Sequence, residues 1–304
     1  MQLHQLVTFH AVATSGSFTR AAKRLYLSQP AVTQQVRSLE NELGFPLIER
    51  QGRRIRLTTA GEALLPYAPR LQALLEEAIN AARETQGQGA QTLHLGAGDT
   101  LATYLLPDLI SRFHGARPKA SLRLVVGNTE RILEAILGNE VELAIWASQY
   151  PHPLLDQHPF ARAPLVVVLQ PSDPFAQRTT IWARELVGRS LLLRGRGSAI
   201  RRFIDSLLQQ AGVDTSAAIE MDHLEAIKRT VEIGYGVTVT PDFAVAREVK
   251  MGTLAAVPLA DPGAKLPLYY VHAASRRLSP LAELITQLVL SYPHDSAPTT
   301  IRLE

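Results

Sequence analysis

The residues best equipped for recognition chemistry in this 304-residue chain cluster at Gln29, Pro30, Thr33, Gln34 and Arg37. Behind them Val32, Val36, Leu39 and Leu43 recur at steps of four, three and four, which puts these four on one helix face and the polar set on the other. Amides pair bidentately with adenine, and a guanidinium pairs with guanine or a phosphate. A short helix with that outward face suits the DNA major groove. An ordinary amphipathic surface helix would carry the same pattern, and the upstream segment separates the two readings. Ser17 can cap a helix bearing Ala21, Ala22 and Leu25, whose small alanines admit a second helix closely. Ser28 can cap the next, with Pro30 in its first turn. That is helix–turn–helix logic.

A second kind of chemistry is available at four strand-to-helix turns. In GAGDT (96–100) Thr100 can cap the following helix and Thr103 lies one turn on; in GNTE (127–130) Asn128 or Thr129 is the cap. RGRGSAIRR (194–202) sets Gly195, Gly197 and Ser198 before a helix with Arg194 and Arg196 beside it, and in MDHLE (221–225) Asp222 and Glu225 form a capping box around His223. Helix N-termini present unpaired N–H groups and a positive dipole end, so converging turns make an anion site. Such residues also cap helices that bind nothing. The glycine-and-arginine turn is the strongest of the four, because its backbone can approach a ligand and its guanidinium groups can pair a carboxylate or phosphate.

Catalytic patterns are missing. There is no G-x-S-x-G elbow, P-loop, H-E-x-x-H or kinase set, and Gly195-Arg196-Gly197-Ser198 lacks the third glycine of a dinucleotide fingerprint. His152 and His158 stand six apart among prolines, a poor metal spacing; His94 falls in a strand, and Trp146 and Trp182 read as packing residues. Cysteine is absent, which excludes disulfides and thiolate metal sites. No signal core and no long apolar run is present, so a cytoplasmic protein without a membrane span is expected.

The elements that must hold these residues can be placed from pattern. A hydrophobic fraction of 46% with 19% charged is ordinary for a chain with a real core, and the length suggests about two domains. Residues 1–60 hold eight basic and three acidic side chains, a surplus of +5, leaving −2 for the rest of a chain whose net charge is +3. A basic head on a slightly acidic body presents one end to a polyanion. Leu3, Leu6, Phe9 and Ala13 predict a first helix stopped by Gly16, and FPLIERQGRRIRLT predicts a two-stranded wing with Arg53 and Arg54 at its tip, reaching a phosphate or the minor groove. A capping box at Thr59 and Glu62 starts a long helix. Its seam of Leu64, Ala68, Leu71, Leu75, Ala78 and Ala82 is coiled-coil-like, with a bend or late start expected at Pro66 and Pro69. TQGQGAQ (85–91) marks a hinge. Beyond it strands are predicted near 92–97, 121–127, 141–147, 164–170, 190–194, 217–220, 236–240 and 267–272. Helices are predicted near 100–113, 129–138, 198–211, 223–233, 241–248 and 280–291. This is a mostly parallel α/β pattern.

The run AVATSGSFTRAAKRLYLSQPAVTQQVRSLENELGFPLIER, continuing through RIRLTTAGE, resembles the N-terminal DNA-binding segment of LysR-type transcriptional regulators, and the likeness extends more loosely over the whole chain. Thr33 stands where the family usually has serine and Ile48 where it usually has phenylalanine; hydroxyl and bulk are kept. The resemblance implies a winged helix–turn–helix (1–58) and a linker helix (59–84) that pairs two subunits into a homodimer or homotetramer. After the hinge it implies two periplasmic-binding-protein-like α/β lobes over 92–304, lobe I from 92–161 and 267–304 and lobe II from 162–266, crossing near 160–164 and 261–267. Its implied DNA contacts are Arg20, Ser28, Gln29, Pro30, Thr33, Gln34, Arg37, Arg53 and Arg54 on double-stranded DNA. A small, anionic effector would sit between the lobes, no cofactor or catalytic residue is called for, and RNA polymerase is a further candidate partner. GNTERILEAI and HLEAIKRTVEIGYG resemble members controlling carbon fixation or sulfur and nitrogen assimilation. The rival reading is an enzyme or solute-binding protein built on the α/β lobes, with the basic head as an accessory module.

Overall fold

The computed structural model describes residues 2–51, 54–68, 71, 74–75, 79, 92–274 and 276–291. They fall into two compact units, residues 1–90 with 137–140 and residues 91–136 with 141–304.

In the first unit three helices, α1 (Leu3–Ser15), α2 (Phe18–Leu25) and α3 (Gln29–Leu43), pack through the apolar faces legible in sequence. Leu6, Phe9, Val12, Ala21, Ala22, Val32, Val36 and Leu39 are all buried, each large side chain worth about 1.5–3 kcal/mol. Gly16 ends α1 in the left-handed region at φ +62°. Ser17 Oγ then accepts the Arg20 N–H at 3.4 Å, and Ser28 Oγ the Ala31 N–H at 3.3 Å. The wing, β1 (Ile48–Gln51) and β2 (Arg54–Leu57), is antiparallel with Ile48 opposite Leu57. Glu40 of α3 fastens it by accepting the N–H groups of Leu47 (2.8 Å) and Ile48 (3.1 Å).

The start of the next helix, α4 (Thr59–Leu64), corrects one expectation: the cap is Thr58, one residue before the predicted box. Its Oγ1 accepts the Gly61 N–H at 3.0 Å and donates to the Pro46 carbonyl at 2.8 Å, a tie that Thr59 does not make. Helical bonding breaks at 65–66 and resumes at Tyr67 and Ala68, where Pro66 has no N–H to give. The predicted seam divides there. Ala68 is buried and Leu64 packs on the same core, whereas Leu71, Leu74, Leu75 and Ile79 are 38–56% exposed. Pro69, Ala78, Ala82 and the hinge lie outside the described residues.

In the second unit the largest sheet has the order β10-β6-β11-β5-β3-β4, with β9 also on β6. Strands β3 (Thr92–Gly98), β4 (Ser121–Gly127) and β5 (Leu143–Ala147) are parallel, as are β7 (Leu192–Arg194) and β8 (Ile219–Met221). The expected mostly parallel pattern stops there, because the one long strand that spans both halves of the unit pairs antiparallel with all its neighbours. Residues 155–164 of β6 (Leu155–Leu169) pair with β11 (Lys265–Ala273), and 165–169 pair with β9 (Thr238–Pro241) and β10 (Ala255–Pro258), all antiparallel. The chain thus passes from one half of the unit to the other at Pro164–Leu165 and returns at Ala264–Lys265. One half carries α5 (Asp99–Tyr104), α6 (Leu106–Ala116), α7 (Thr129–Leu137) and α11 (Pro280–Leu290). The other carries α8 (Ala199–Gln210), α9 (Leu224–Glu232) and α10 (Ala246–Met251). Among the described residues no helix is long and apolar enough to cross a membrane, and no His, Asp and Glu group could hold a metal ion.

Candidate functional site

Two sites emerge, one in each unit. In the first, α3 offers Ser28, Gln29, Pro30, Gln34 and Arg37 as exposed residues and Thr33 half-buried. Gln29 Nε2 donates to Thr33 Oγ1 at 2.7 Å, which sets the amide along the helix and leaves its carbonyl and second hydrogen for another partner. From below, the helix is located by two polar ties that the sequence pattern did not single out. Gln5 Nε2 donates to Ser38 Oγ at 3.0 Å, and Thr8 Oγ1 donates to Gln35 Oε1. Gln5 and Thr8 are buried, and buried polar groups are kept only when paired, so these contacts fix the rotation of α3 against α1. Arg20 is exposed on α2, with Lys23 and Arg24 at the end of the same helix. Arg54 opens β2, while Arg53 lies outside the described residues.

The second site is a cavity of about 220 Å³ where the C-terminal ends of β3, β4 and β7 meet the N-termini of α7 and α8. Such a position, outside strand C-termini, is where open α/β sheets bind ligands. Five of the eight sequence candidates line it: Thr100, Asn128, Thr129, Arg194 and Ser198. Ser198 caps α8 by accepting the Arg201 N–H at 3.4 Å, and Asn128 Oδ1 accepts the Arg131 N–H at 2.9 Å. The other three do not line it. Thr103 is exposed and donates its hydroxyl to the Asp99 carbonyl (2.9 Å), Arg196 turns outward to Glu220 (3.1 Å), and His223 is an exposed N-cap residue without a side-chain cap bond. Glu225 is not the expected box partner either; its carboxylate is held by Tyr104 and Lys228.

Several further residues build the cavity. Asp99 accepts from Arg194 Nη1 at 3.0 Å, and the same nitrogen donates to Thr100 Oγ1 at 3.2 Å, which joins the two halves across the cavity. Arg202 adds weaker reaches to Glu130 and Thr129, both at 3.4 Å. Arg201, 1% exposed, donates to both Asp205 oxygens at 2.8 Å and to the Arg194 carbonyl, so a buried guanidinium positions the turn that presents Arg194. No periodicity marks that role, since Arg201 looks like one more charged residue on α8.

Beyond the cavity a second inter-half contact forms. Tyr104 of α5 donates to Glu225 of α9, and its ring lies 4.6 Å from Lys228 Nζ. Burial and the neighbouring Glu225 carboxylate push the Tyr104 phenol well above its ordinary range, so it stays protonated and remains a donor. Lys228 is itself buried, held at 2.6 Å by Glu225 and 2.8 Å by Glu248.

A winged helix presenting an amide-and-guanidinium face, and a separate two-halved α/β unit with an anion-suited cavity, define a ligand-responsive DNA-binding regulator. The bacterial regulatory helix-turn-helix model of the lysR family matches residues 3–62, and the LysR substrate binding domain model matches residues 86–292. The chain belongs to the LysR family of transcriptional regulators, and its members are regulators and not enzymes. Similar curated proteins include a "Probable RuBisCO transcriptional regulator" of Trichormus variabilis, 35% identical over 95% of this chain and 87% of that one. Another of the same name, from Cyanidioschyzon merolae, is 34% identical over 95% and 97%. Among solved structures, full-length OxyR from Pseudomonas aeruginosa, a cysteine-to-aspartate variant, aligns with TM-score 0.73 at 27% identity, covering 95% of this chain and 94% of that one. CbnR, a LysR family transcriptional regulator, aligns at 0.70 and 24%, covering 95% and 98%, and shares the fold.

Proposed function

We propose that this protein regulates RuBisCO genes in response to a small anionic metabolite bound between its two α/β lobes. The observation that carries the effector reading is the convergence of Arg194 with the N-termini of α7 and α8 on one cavity, where an anion gains both a guanidinium and dipole ends. The target reading rests on the regulators of that name at about a third identity over nearly the whole chain.

In this reading residues 1–58 read DNA, 59–84 pair two subunits, 85–91 act as the hinge, and 92–304 bind the effector. Lobe I takes 92–164 and 265–304, and lobe II takes 165–264, a few residues off the bounds expected from the sequence. The contacts are Arg20, Ser28, Gln29, Pro30, Thr33, Gln34, Arg37, Arg53 and Arg54 on DNA, with Thr100, Asn128, Thr129, Arg194 and Ser198 on the effector. Two recognition helices related by a two-fold fall on successive major grooves, and effector binding shifts the balance between dimer arrangements by its differential affinity for them. Homodimers or homotetramers form, RNA polymerase is the downstream partner, and the protein acts in the cytoplasm.

The test is to sequence genomic DNA retained by the purified full-length protein as salt is raised. Fragments upstream of RuBisCO genes should dominate and should be lost steeply between about 50 and 200 mM salt. Retention of unrelated loci would overturn the target reading, and salt-insensitive retention would overturn the phosphate contacts.

A further inference from the structure

Tyr26 stands in the turn between α2 and α3 and is 96% exposed. A single exposed aromatic needs no explanation by itself. The backbone beneath this one does. Tyr26 closes α2 in the left-handed region at φ +55°. Its N–H donates to the Lys23 carbonyl at 3.4 Å, and the N–H of Leu27 to the Ala22 carbonyl at 3.0 Å. Glycine is favoured at such a helix end, because any Cβ there crowds the carbonyl that follows. Gly16 and Gly44 hold the equivalent places at the ends of α1 and α3. At the end of α2 the chain instead carries a bulky aromatic, and that side chain gains no packing: among the described residues neither its ring nor its hydroxyl has a partner.

The surroundings of Tyr26 indicate what its side chain meets. Lys23 and Arg24, exposed in the last turn of α2, precede it, and Ser28 and Gln29, exposed at the start of α3, follow within three residues. From Phe18 to Ser38 the sequence holds four cations (Arg20, Lys23, Arg24 and Arg37) and no acid. A polyanion fits that surface better than an acidic-and-basic protein face does. With the first residues of α3 on base edges, the turn that leads into them borders the DNA backbone.

We propose that Tyr26 is a further DNA-contacting residue, whose phenol hydroxyl donates to a backbone phosphate beside the bases that Gln29 reaches. A rigid ring with two side-chain torsions extends the hydroxyl at small entropic cost. The contact fixes the entry of α3 into the groove and carries no sequence information. The strained helix end is kept because the outward ring serves the complex and not the fold. The inference rests on the DNA-reading head proposed above and adds an uncharged contact to it.

The test measures binding of the full-length protein to a labelled mixed-sequence duplex by anisotropy over a salt series. Tyr26→Phe removes the hydroxyl alone, and Tyr26→Gly removes the side chain while relieving the left-handed backbone. Tyr26→Phe should weaken binding roughly three- to thirtyfold, the range of one hydrogen bond to a charged group in a wet interface. Tyr26→Gly should weaken it at least as much while its melting midpoint stays level or rises, a split that a structural role for the ring would not give. The slope of log affinity against log salt should keep its wild-type value in both, since a neutral phenol displaces no counterion, whereas Arg53→Ala should lower it by about one. Wild-type affinity in both variants would overturn the contact and leave the DNA-reading head standing. A loss in Tyr26→Gly alone would overturn the part given to the hydroxyl. A loss accompanied by sedimentation toward smaller species would assign Tyr26 to contact between copies and overturn the proposal. Failure of the unaltered protein to bind the duplex would overturn the head itself.

Discussion

Gln29 and Arg37 sit on the same exposed face of α3, yet they arrive there with different commitments. Gln29 is pre-set by Thr33, whereas Arg37 is exposed at the middle of the helix. If each reads a base edge, Gln29→Ala and Arg37→Ala should each cost about 1–3 kcal/mol on the cognate site and less on non-specific DNA. Arg53→Ala should instead weaken all sequences alike, because a phosphate contact carries little sequence information. Competition binding against random duplex separates the two, and a sequence-selective loss from Arg53→Ala would show that the wing reads bases. His10 supplies a pH signature for the same unit. Burial first, and then the nearby Arg24 charge, lower its pKa below the ordinary 6.5. The unfolded chain therefore takes up the proton first, and stability falls as pH drops through 6.5. Thermal melts from pH 7.5 to 5 should show that decline, and His10→Gln should flatten it.

At the scale of elements, close approach decides more than propensity does. Gly61 lies in the first turns of α4, where a Cβ would stand 2.2 Å from the Leu47 carbonyl oxygen. Backbone cannot yield as a flexible side chain can, so Gly61→Ala should cost roughly 1–3 kcal/mol and displace α4 from the wing. Denaturant melts of the variant would show this as a lower midpoint at an unchanged slope. Other element boundaries trace to proline. The predicted helix over 100–113 divides at Leu105, with Pro107 in the first turn of α6, where its missing N–H goes unneeded. The first half of β6 has no apolar run to announce it. LDQHPFARA is polar and holds Pro159, and it becomes a strand because β11 lies beside it. Strand formation there is a tertiary event.

At the scale of the whole molecule, the exposed row of Leu71, Leu74, Leu75 and Ile79 is the feature that one chain alone leaves uncovered. Ala68 is already used by its own domain, so in the proposed pairing the residues after it carry the contact. Leu71→Glu with Leu75→Glu should shift sedimentation toward monomer and reduce affinity for a two-half-site operator more than for a single half-site. A paired assembly surviving both changes would move the two-fold elsewhere.

Much of this organisation is fixed by local pattern. The three-helix DNA-reading head, its caps at Ser17 and Ser28, the wing and the α/β alternation follow from the spacing of apolar residues and from turn chemistry, both properties of neighbours in sequence. Five of the eight candidates legible at these turns line the cavity, because helix caps at strand ends are local motifs. Three decisions belong to tertiary structure alone. It turned Arg196 and His223 away from the cavity, it brought Asp99 and Trp146 to its wall, and it buried Arg201 beneath the turn that presents Arg194. Which side of a turn faces a ligand depends on what packs behind it. Asp99 and Arg194 lie nearly a hundred residues apart in sequence, so no local periodicity records their meeting.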